Sequence, residues 1–312
     1  MMRDSTIVSD LLETYSHDPF YSPVQFCKER NIDGRTLEEI VYNVKHTKHL
    51  STIVLQGPAK QYWKSIESIR NQTNFDSAVQ GKSTYPSRIG FYPGVTCQFA
   101  CSFCGRREGT QFAGGLARSS VDMFNDILDM HVQVPNHQKI IRLSGGLEPT
   151  TNKHISDIIL GIKRKNLQAE MYTNGFNFTD NWLDMNLGIN LLDRIRFSIY
   201  GHDAESYKQT TEHDRGHSVL EKVKNFLNRS SMPAGVNYVV LQGQLDRFEK
   251  FIQWVKEVNT ETRGLSWVSI REDSSQNRWH LDQKERYEIQ HLLEQLNIVC
   301  NNVDYGYTLW PL

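Results

Sequence analysis

Three of the five cysteines of this 312-residue chain lie within eight positions, at Cys97, Cys101 and Cys104. They belong to the stretch GVTCQFACSFCGRREG, residues 94–109, and Phe103 directly precedes the last of them. Closely spaced thiolates can bind zinc, form a redox pair or hold an iron–sulfur cluster. The spacing therefore predicts metal or redox chemistry, and the rest of the chain must decide which.

The number of ligands separates the two metal interpretations. A structural zinc site needs four protein ligands, commonly two cysteine pairs from separate segments. Only Cys101 and Cys104 have the two-residue spacer of such a pair, and His131, His137 and Cys300 do not lie at a zinc-binding spacing from them. An iron–sulfur cluster held by three thiolates leaves one iron without a protein ligand. We expect a substrate or cofactor at that iron, with zinc as the alternative.

The composition limits the class of protein. Lys and Arg number 35 against 36 Asp and Glu, so no overall basic field indicates a nucleic-acid partner. The first residues lack the apolar core of a secretory signal, and no stretch is apolar for long enough to span a membrane. An odd number of cysteines, three of them clustered, fits reduced thiols better than disulfides. We expect a cytoplasmic protein that binds no membrane.

Six strand-like runs follow from Arg88 onwards and alternate with amphipathic helices. They are RIGFYP, KIIRLS, AEMYTN, RIRFSIY, VNYVVL and SWVSIR, and NVDYGYTLWPL is a further strand candidate. Strands that alternate with helices predict βα units and a parallel sheet. The sequence thus predicts an α/β fold, with a helical N-terminal extension over residues 1–85 and a partial (β/α)6 TIM-like barrel of parallel strands over residues 86–312.

Polar or glycine-rich residues follow each predicted strand. The cysteine loop follows the first strand, and the later ones are followed by SGGLEPT, NGF, GHD, QGQ and EDSSQN in turn. Carboxyl ends of parallel strands meet at one edge of the sheet, where such folds bind ligands. We expect these loops to form one site.

The motif Cys-x-x-x-Cys-x-aromatic-Cys after the first strand resembles that of the radical S-adenosylmethionine superfamily. The resemblance implies a [4Fe-4S] cluster on the three cysteines, whose open iron is chelated by S-adenosyl-L-methionine. SGGLEP is similar to the superfamily's Gly-Gly-Glu motif, with Leu147 inserted. This implies that Gly145 and Gly146 let the backbone approach the cofactor and that Glu148 accepts its ammonium group. An ordinary turn is the alternative for the two glycines alone.

The same resemblance implies further cofactor contacts at the strand ends. They are Phe103 beside the cluster, Asn174 after the third strand, Ser198 near the ribose, and Val240 and Leu241 near the adenine. Core packing explains Val240 and Leu241 equally well, a half-buried strand whose face it fills is the alternative for Ser198, and a hairpin turn is the alternative for Asn174.

Longer blocks resemble the ammonia-lyases that act on 4-amino-deoxysugar nucleotides. YPGVTC and SGGLEPTTN exceed what the superfamily motifs require, and DPFYSPVQF and GPAKQYWKS extend the likeness into residues 1–85. The resemblance implies a metal-binding lyase of deoxysugar biosynthesis, with a nucleotide sugar as substrate and flavodoxin or ferredoxin as electron donor. It also implies reductive cleavage of the cofactor to a 5′-deoxyadenosyl radical, hydrogen abstraction from the sugar, and release of ammonia.

Four residues are candidates for contact with the substrate. Tyr200, Glu272 and Asp273 could take the hydroxyl proton as general base, and Arg271 could bind the pyrophosphate or the cofactor carboxylate. A solvated charge or an ion pair is the alternative for each. Two other functions stay open: a radical dehydrogenase or epimerase on another sugar or nucleoside, and a non-catalytic iron–sulfur binding protein.

Overall fold

The computed structural model describes residues 2–17, 21, 23–34, 36–37, 80–82, 88–104, 122, 124–129, 140–273 and 281–306. At the N-terminus lie helices α1 (Met2–His17) and α2 (Pro23–Arg30). An ion pair of 2.8 Å between Arg30 Nε and Asp10 Oδ2 joins them. The described part of residues 1–85 is thus mainly helical, whereas residues 38–79 lie outside the described ranges. The division of the chain into two domains stays a prediction.

Seven parallel strands form one sheet, and their order in space follows their order in the chain. They are β1 (Arg88–Phe91), β2 (Ile140–Leu143), β3 (Gln168–Thr173), β4 (Arg194–Ile199), β5 (Ala234–Val240), β6 (Trp267–Glu272) and β7 (Val303–Gly306). Within the described residues, β1 and β7 do not pair with each other, so this sheet is open. The predicted partial barrel of parallel strands is confirmed, with one strand more than six because Val303–Gly306, part of the further strand candidate, forms β7.

Helices follow most of the strands and cover one face of the sheet. They are α3 (Ile155–Arg164), α4 (Asp180–Met185), α5 (Ala204–Thr211), α6 (Ser218–Arg229), α7 (Leu245–Glu261) and α8 (Gln283–Val299), with 3-10 turns at Pro149–Thr151 and Leu187–Leu191. Their apolar stripes are buried; in α3 the stripe consists of Ile155, Ile158, Ile159 and Ile162. No helix within the described residues is both long and apolar enough to cross a membrane.

The two faces of each strand differ in chemistry because successive side chains point to opposite sides. In β4, Ile195, Phe197 and Ile199 are fully buried, whereas Arg194, Arg196 and Ser198 alternate with them and are half-buried. In β6, Val268 and Ile270 are buried in the same way, and Arg271 lies on the polar side. One face of the sheet therefore packs on the helices, and the other is polar and lines a cavity.

Candidate active site

The cysteine loop follows β1 and lies at the carboxyl edge of the sheet. Cys101 is buried, and Cys97 and Cys104 are half-buried. Main-chain hydrogen bonds fix the loop to the end of α5, including one of 3.0 Å from Ser102 N–H to the Thr210 carbonyl. Among the described residues, no group of three or more His, Cys, Asp or Glu side chains is arranged as the ligands of a single metal ion would be. A four-iron cluster binds each thiolate at a different iron, so this donor set fits such a cluster.

A set of hydrogen bonds joins the start of the cysteine loop to the Gly-Gly-Glu turn. Glu148 N–H donates to the Thr96 carbonyl at 2.9 Å, and the Thr151 hydroxyl accepts from Thr96 N–H at 3.2 Å. The buried Asn152 amide donates to the Pro93 carbonyl at 2.9 Å. Sequence reasoning missed Thr151 and Asn152 as positioning residues. The signal was the extra length of YPGVTC and SGGLEPTTN, since these two blocks bind each other.

Asn174 makes a second connection at the same edge. Its amide donates to Cys97 Sγ at 3.6 Å and to Gln98 Oε1 at 3.2 Å, and its main-chain N–H donates to Glu148 Oε2 at 2.7 Å. Asn177 Oδ1 in turn accepts from the Gln98 amide at 3.0 Å. The structure thus places Asn174 beside the first cysteine, and its role in cofactor binding stays a prediction.

The two glycines of the turn differ in what they require. Gly145 has φ +122°, a conformation that side chains rarely adopt, and a Cβ there would overlap the ring of Tyr92 at 2.5 Å. Gly146 is exposed, and a Cβ there would meet nothing within 4 Å. The inserted Leu147 has its side chain buried. The open space at Gly146 fits a ligand that approaches the backbone closely, as the sequence predicts for the cofactor.

The carboxylate of Glu148 is buried and accepts hydrogen bonds from groups of the protein itself. Glu148 is 4% exposed, and its carboxylate accepts hydrogen bonds from the Thr150 main chain (3.1 Å) and hydroxyl (2.7 Å), the Thr173 hydroxyl (2.6 Å) and the Asn174 main chain (2.7 Å). Burial raises the pKa of Glu148, and these hydrogen bonds oppose the rise. As observed, Glu148 connects the carboxyl ends of β2 and β3. Its predicted contact with the cofactor ammonium stays a prediction.

Tyr200, directly after β4, lies in an aromatic group with Phe99 and Phe103, each with its ring centroid 5.8 Å away. Burial above all, and then the neighbouring Cys101, raise the pKa of the Tyr200 hydroxyl well above its usual value, while a hydrogen bond with Ser198 opposes the rise. A hydroxyl that retains its proton donates hydrogen bonds and is a poor base. The geometry therefore favours Tyr200 as a donor.

The three candidates at the end of β6 are Arg271, Glu272 and Asp273. They do not all lie on one side of the sheet, because neighbouring strand residues face opposite sides. Arg271 faces the cavity and pairs with Asp304 at 2.6 Å. Glu272 is buried on the helix side, where it pairs with Arg286 at 3.0 Å and accepts from the Tyr305 hydroxyl at 2.6 Å. The structure therefore does not bring Glu272 to the cavity that Arg271 lines. Asp273 is buried directly beyond the strand, and its role as base stays a prediction.

Val240 and Leu241 end β5 with 1% and 3% of their surface exposed. Val240 belongs to the main apolar core, in line with the core-packing alternative. Their predicted contact with adenine stays untested.

The polar face of the sheet encloses a cavity of about 460 Å³. The lining residues are mostly charged: Arg88, Arg142, Glu170, Tyr172, Arg194, Arg196, Ser198, Asn237 and Arg271. Sequence reasoning identified only Ser198 and Arg271. The signal for the others was the period-two alternation of polar with apolar residues inside the strands, which places all of them on one face.

An open barrel of parallel strands with a three-cysteine loop after its first strand defines a radical S-adenosylmethionine protein. The family model described as Radical SAM superfamily matches residues 91–255, so the chain belongs to this superfamily. The cofactors of the superfamily are a [4Fe-4S] cluster and S-adenosyl-L-methionine.

At the level of individual proteins, the chain is similar to the dTDP-4-amino-4,6-dideoxy-D-glucose ammonia-lyase of Streptomyces venezuelae. The two are 29% identical over 95% of this chain and 64% of that protein, so this chain spans less than two thirds of the relative. A probable GTP 3′,8-cyclase of Saccharolobus islandicus is 30% identical over 50% of this chain and 49% of its own.

Solved structures show the same fold at low sequence identity. Streptococcus suis SuiB bound to S-adenosylmethionine matches 81% of this chain and 53% of its own, with a TM-score of 0.54 and 12% identity. SuiB bound to the precursor peptide SuiA matches 80% of this chain and 54% of its own, with a TM-score of 0.57. These likenesses support the fold alone.

Proposed function

We propose that this radical S-adenosylmethionine enzyme is an ammonia-lyase that acts on a 4-amino-deoxysugar nucleotide. The observation that carries the proposal is the 29% identity to the sugar-nucleotide ammonia-lyase, which extends over 95% of this chain. The arginine-lined cavity on the polar face of the sheet supports it, because a sugar nucleotide is anionic through its diphosphate.

The roles of the residues follow from their places in the site. Cys97, Cys101 and Cys104 would hold the cluster, and the open space at Gly146 would admit the cofactor. When bound, cluster and cofactor together supply a 5′-deoxyadenosyl radical. The protein orients the sugar, excludes water and moves protons. Tyr200 would donate a hydrogen bond at this edge.

The reaction on the sugar balances without an added oxidant. The carbon that bears the hydroxyl loses its hydrogen, the hydroxyl loses its proton, and the neighbouring carbon–nitrogen bond breaks. The first carbon becomes a ketone and ammonia leaves, and the radical left on the second carbon takes up one electron from the electron donor and one proton to become a methylene. A general base assists by taking the hydroxyl proton. Of the three residues predicted for that role, we propose Asp273, which lies directly beyond β6, because Glu272 faces the helix side of the sheet, away from the cavity, and burial favours the protonated form of Tyr200.

Substrate turnover tests the proposal. Anaerobically reconstituted protein is given dithionite, S-adenosyl-L-methionine and dTDP-4-amino-4,6-dideoxy-D-glucose, and ammonia, sugar product and 5′-deoxyadenosine are measured. We expect ammonia and a keto sugar to form. Asp273→Asn should lower ammonia release by roughly 10² to 10⁴-fold, and Asp246→Asn, an exposed position at the start of α7, is the matched control.

Other outcomes identify the alternatives. An oxidised sugar that keeps its nitrogen would indicate a dehydrogenase, and an isomerised sugar an epimerase. If no 5′-deoxyadenosine forms with any sugar nucleotide, the non-catalytic interpretation holds. Reduced flavodoxin or ferredoxin in place of dithionite tests the proposed electron donor.

A further inference from the structure

The arginines of the cavity are not equivalent, because most of them are paired with carboxylates. Glu170, which is 2% exposed, pairs with Arg88 at 3.5 Å, Arg142 at 2.5 Å and Arg194 at 2.6 Å. Arg271 pairs with Asp304, as described above. For Arg196, no carboxylate of the described residues lies within ion-pair distance. Arg196 is therefore the cation of the cavity that is available to an external anion.

Aromatic rings hold the Arg196 guanidinium in place. Its Cζ lies 4.7 Å from the centroid of the Tyr172 ring, and Arg142 approaches the same ring at 4.6 Å from the strand on the other side of β3. The ring of Trp267 lies 5.9 Å from Arg196 Cζ. Guanidinium groups stack favourably on aromatic faces, so these contacts fix the orientation of Arg196 and do not use up its hydrogen-bond donors.

Two N–H donors in this row of the sheet are buried without an acceptor among the described residues: Arg196 Nε and Trp267 Nε1. The strand register places Arg196 opposite Gly235, and Gly235 opposite Trp267. A Cβ at Gly235 would overlap the indole, so the glycine leaves room for the Trp267 ring beside Arg196. Buried donors without partners are destabilising, and such a pair indicates a ligand that supplies acceptors.

The charge of the cavity defines the ligand class. Five lining arginines face two carboxylates, Glu170 and the adjacent Asp304, so positive charge prevails. Burial above all, and also the nearby Arg271 and Arg142, lower the pKa of Arg196, whereas Tyr172 and Asp304 oppose the shift. An anion with several oxygen acceptors would relieve this repulsion and accept from the planar guanidinium at two points.

We propose that Arg196 binds the diphosphate of the substrate at the floor of the barrel, with Tyr172 and Trp267 as positioning residues. This inference rests on the proposed function. Arg196 lies four residues before Tyr200 on β4, about 13 Å at ~3.3 Å per residue. The cofactor is chelated at the cysteine loop, at the Tyr200 end, so the diphosphate is the anion that reaches Arg196. The sugar then lies between the two, beside Ser198 and Asn237, which share the register row nearer the loop.

Binding of dTDP by the cluster-loaded protein, measured by calorimetry, tests the inference without turnover. In Arg196→Gln we expect the dTDP affinity to fall about 10 to 100-fold, as expected for the loss of charge-assisted hydrogen bonds. The affinity for S-adenosyl-L-methionine in the same sample is the reference, and we expect the ratio of dTDP affinity to cofactor affinity to fall at least tenfold. Arg229→Gln, whose arginine pairs with Asp180 and Asp184 on the outer helices, is the matched control.

The conservative variant keeps the test decisive. Arg196→Lys retains the charge but loses the planar fork, so we expect dTDP binding between that of the parent and that of Arg196→Gln. If Arg196→Gln does not fold, weaker binding by Arg196→Lys supports the inference and parental binding by it overturns the inference. Parental dTDP affinity in Arg196→Gln, or competition between dTDP and the cofactor, also overturns it. The proposed function fails separately, when the amino-sugar nucleotide binds through Arg196 and no ammonia is released.

Discussion

Removal of the Asn152 side chain should detach the cysteine loop from the Gly-Gly-Glu turn. Asn152 is 1% exposed; its amide donates to the Pro93 carbonyl and its oxygen accepts from His154 N–H, both at 2.9 Å. In Asn152→Ala both main-chain groups lose their partner, and a buried group without one costs about 1–3 kcal/mol. Water can reach the half-buried His154 N–H, so this group should lose less than the buried Pro93 carbonyl. For the two groups together we expect a loss of roughly 2–4 kcal/mol in the free energy of unfolding.

Urea unfolding under anaerobic conditions, followed by circular dichroism, measures this loss. Asn186→Ala is the matched control, because the half-buried Asn186 makes a 2.8 Å bond to the Trp182 carbonyl far from the cysteines. We expect the control to lose no more than about 1 kcal/mol. Iron incorporated on reconstitution should fall in Asn152→Ala and stay at the parental level in Asn186→Ala. Equal stability of the two variants would refute the role given to Asn152.

Four further substitutions test local features of the structure. Gly145→Ala should cost about 1–3 kcal/mol, because of its positive φ and the adjacent ring, whereas Gly146→Ala should leave the melting temperature unchanged, since its Cβ enters open space. Asp203→Ala removes a capping box and should cost about 1 kcal/mol in urea unfolding. Hydrogen bonds lower the pKa of Asp203, so its stabilisation is present at neutral pH and should be lost on acidification below about pH 4. Gly235→Ala should displace the Trp267 indole, so we expect a changed tryptophan emission and weaker dTDP binding. Parental values of both would contradict the proposed role of Trp267 as a positioning residue.

Much of the fold could be predicted because it depends on local periodicity. The alternation of Arg194, Arg196 and Ser198 with apolar residues identifies β4, and the isoleucine stripe of α3 identifies a helix. The cysteine spacing and the order of the strand-end loops identify the superfamily. These signals lie within short stretches, so a single sequence carries them.

The partners of individual side chains could not be predicted, because they come from distant segments. The sequence does not distinguish Glu272 from Asp273 as a candidate base. In the structure, Arg286 of α8 and Tyr305 of β7 bind Glu272 on the helix side of the sheet. The sequence does not distinguish Arg196 from the other strand arginines. The sheet shows that Glu170 pairs with Arg142 and Arg194, whereas no carboxylate of the described residues pairs with Arg196.

The central claim is that the three cysteines and the strand-end loops form one radical S-adenosylmethionine centre. Formation of 5′-deoxyadenosine from S-adenosyl-L-methionine by the reconstituted, dithionite-reduced protein tests it most directly. We predict about four irons per chain and 5′-deoxyadenosine from the parent and from Cys300→Ala, whose cysteine lies outside the loop, but none from Cys104→Ala. No 5′-deoxyadenosine from a protein whose cluster is verified by spectroscopy, or zinc in place of iron after anaerobic purification, would contradict it.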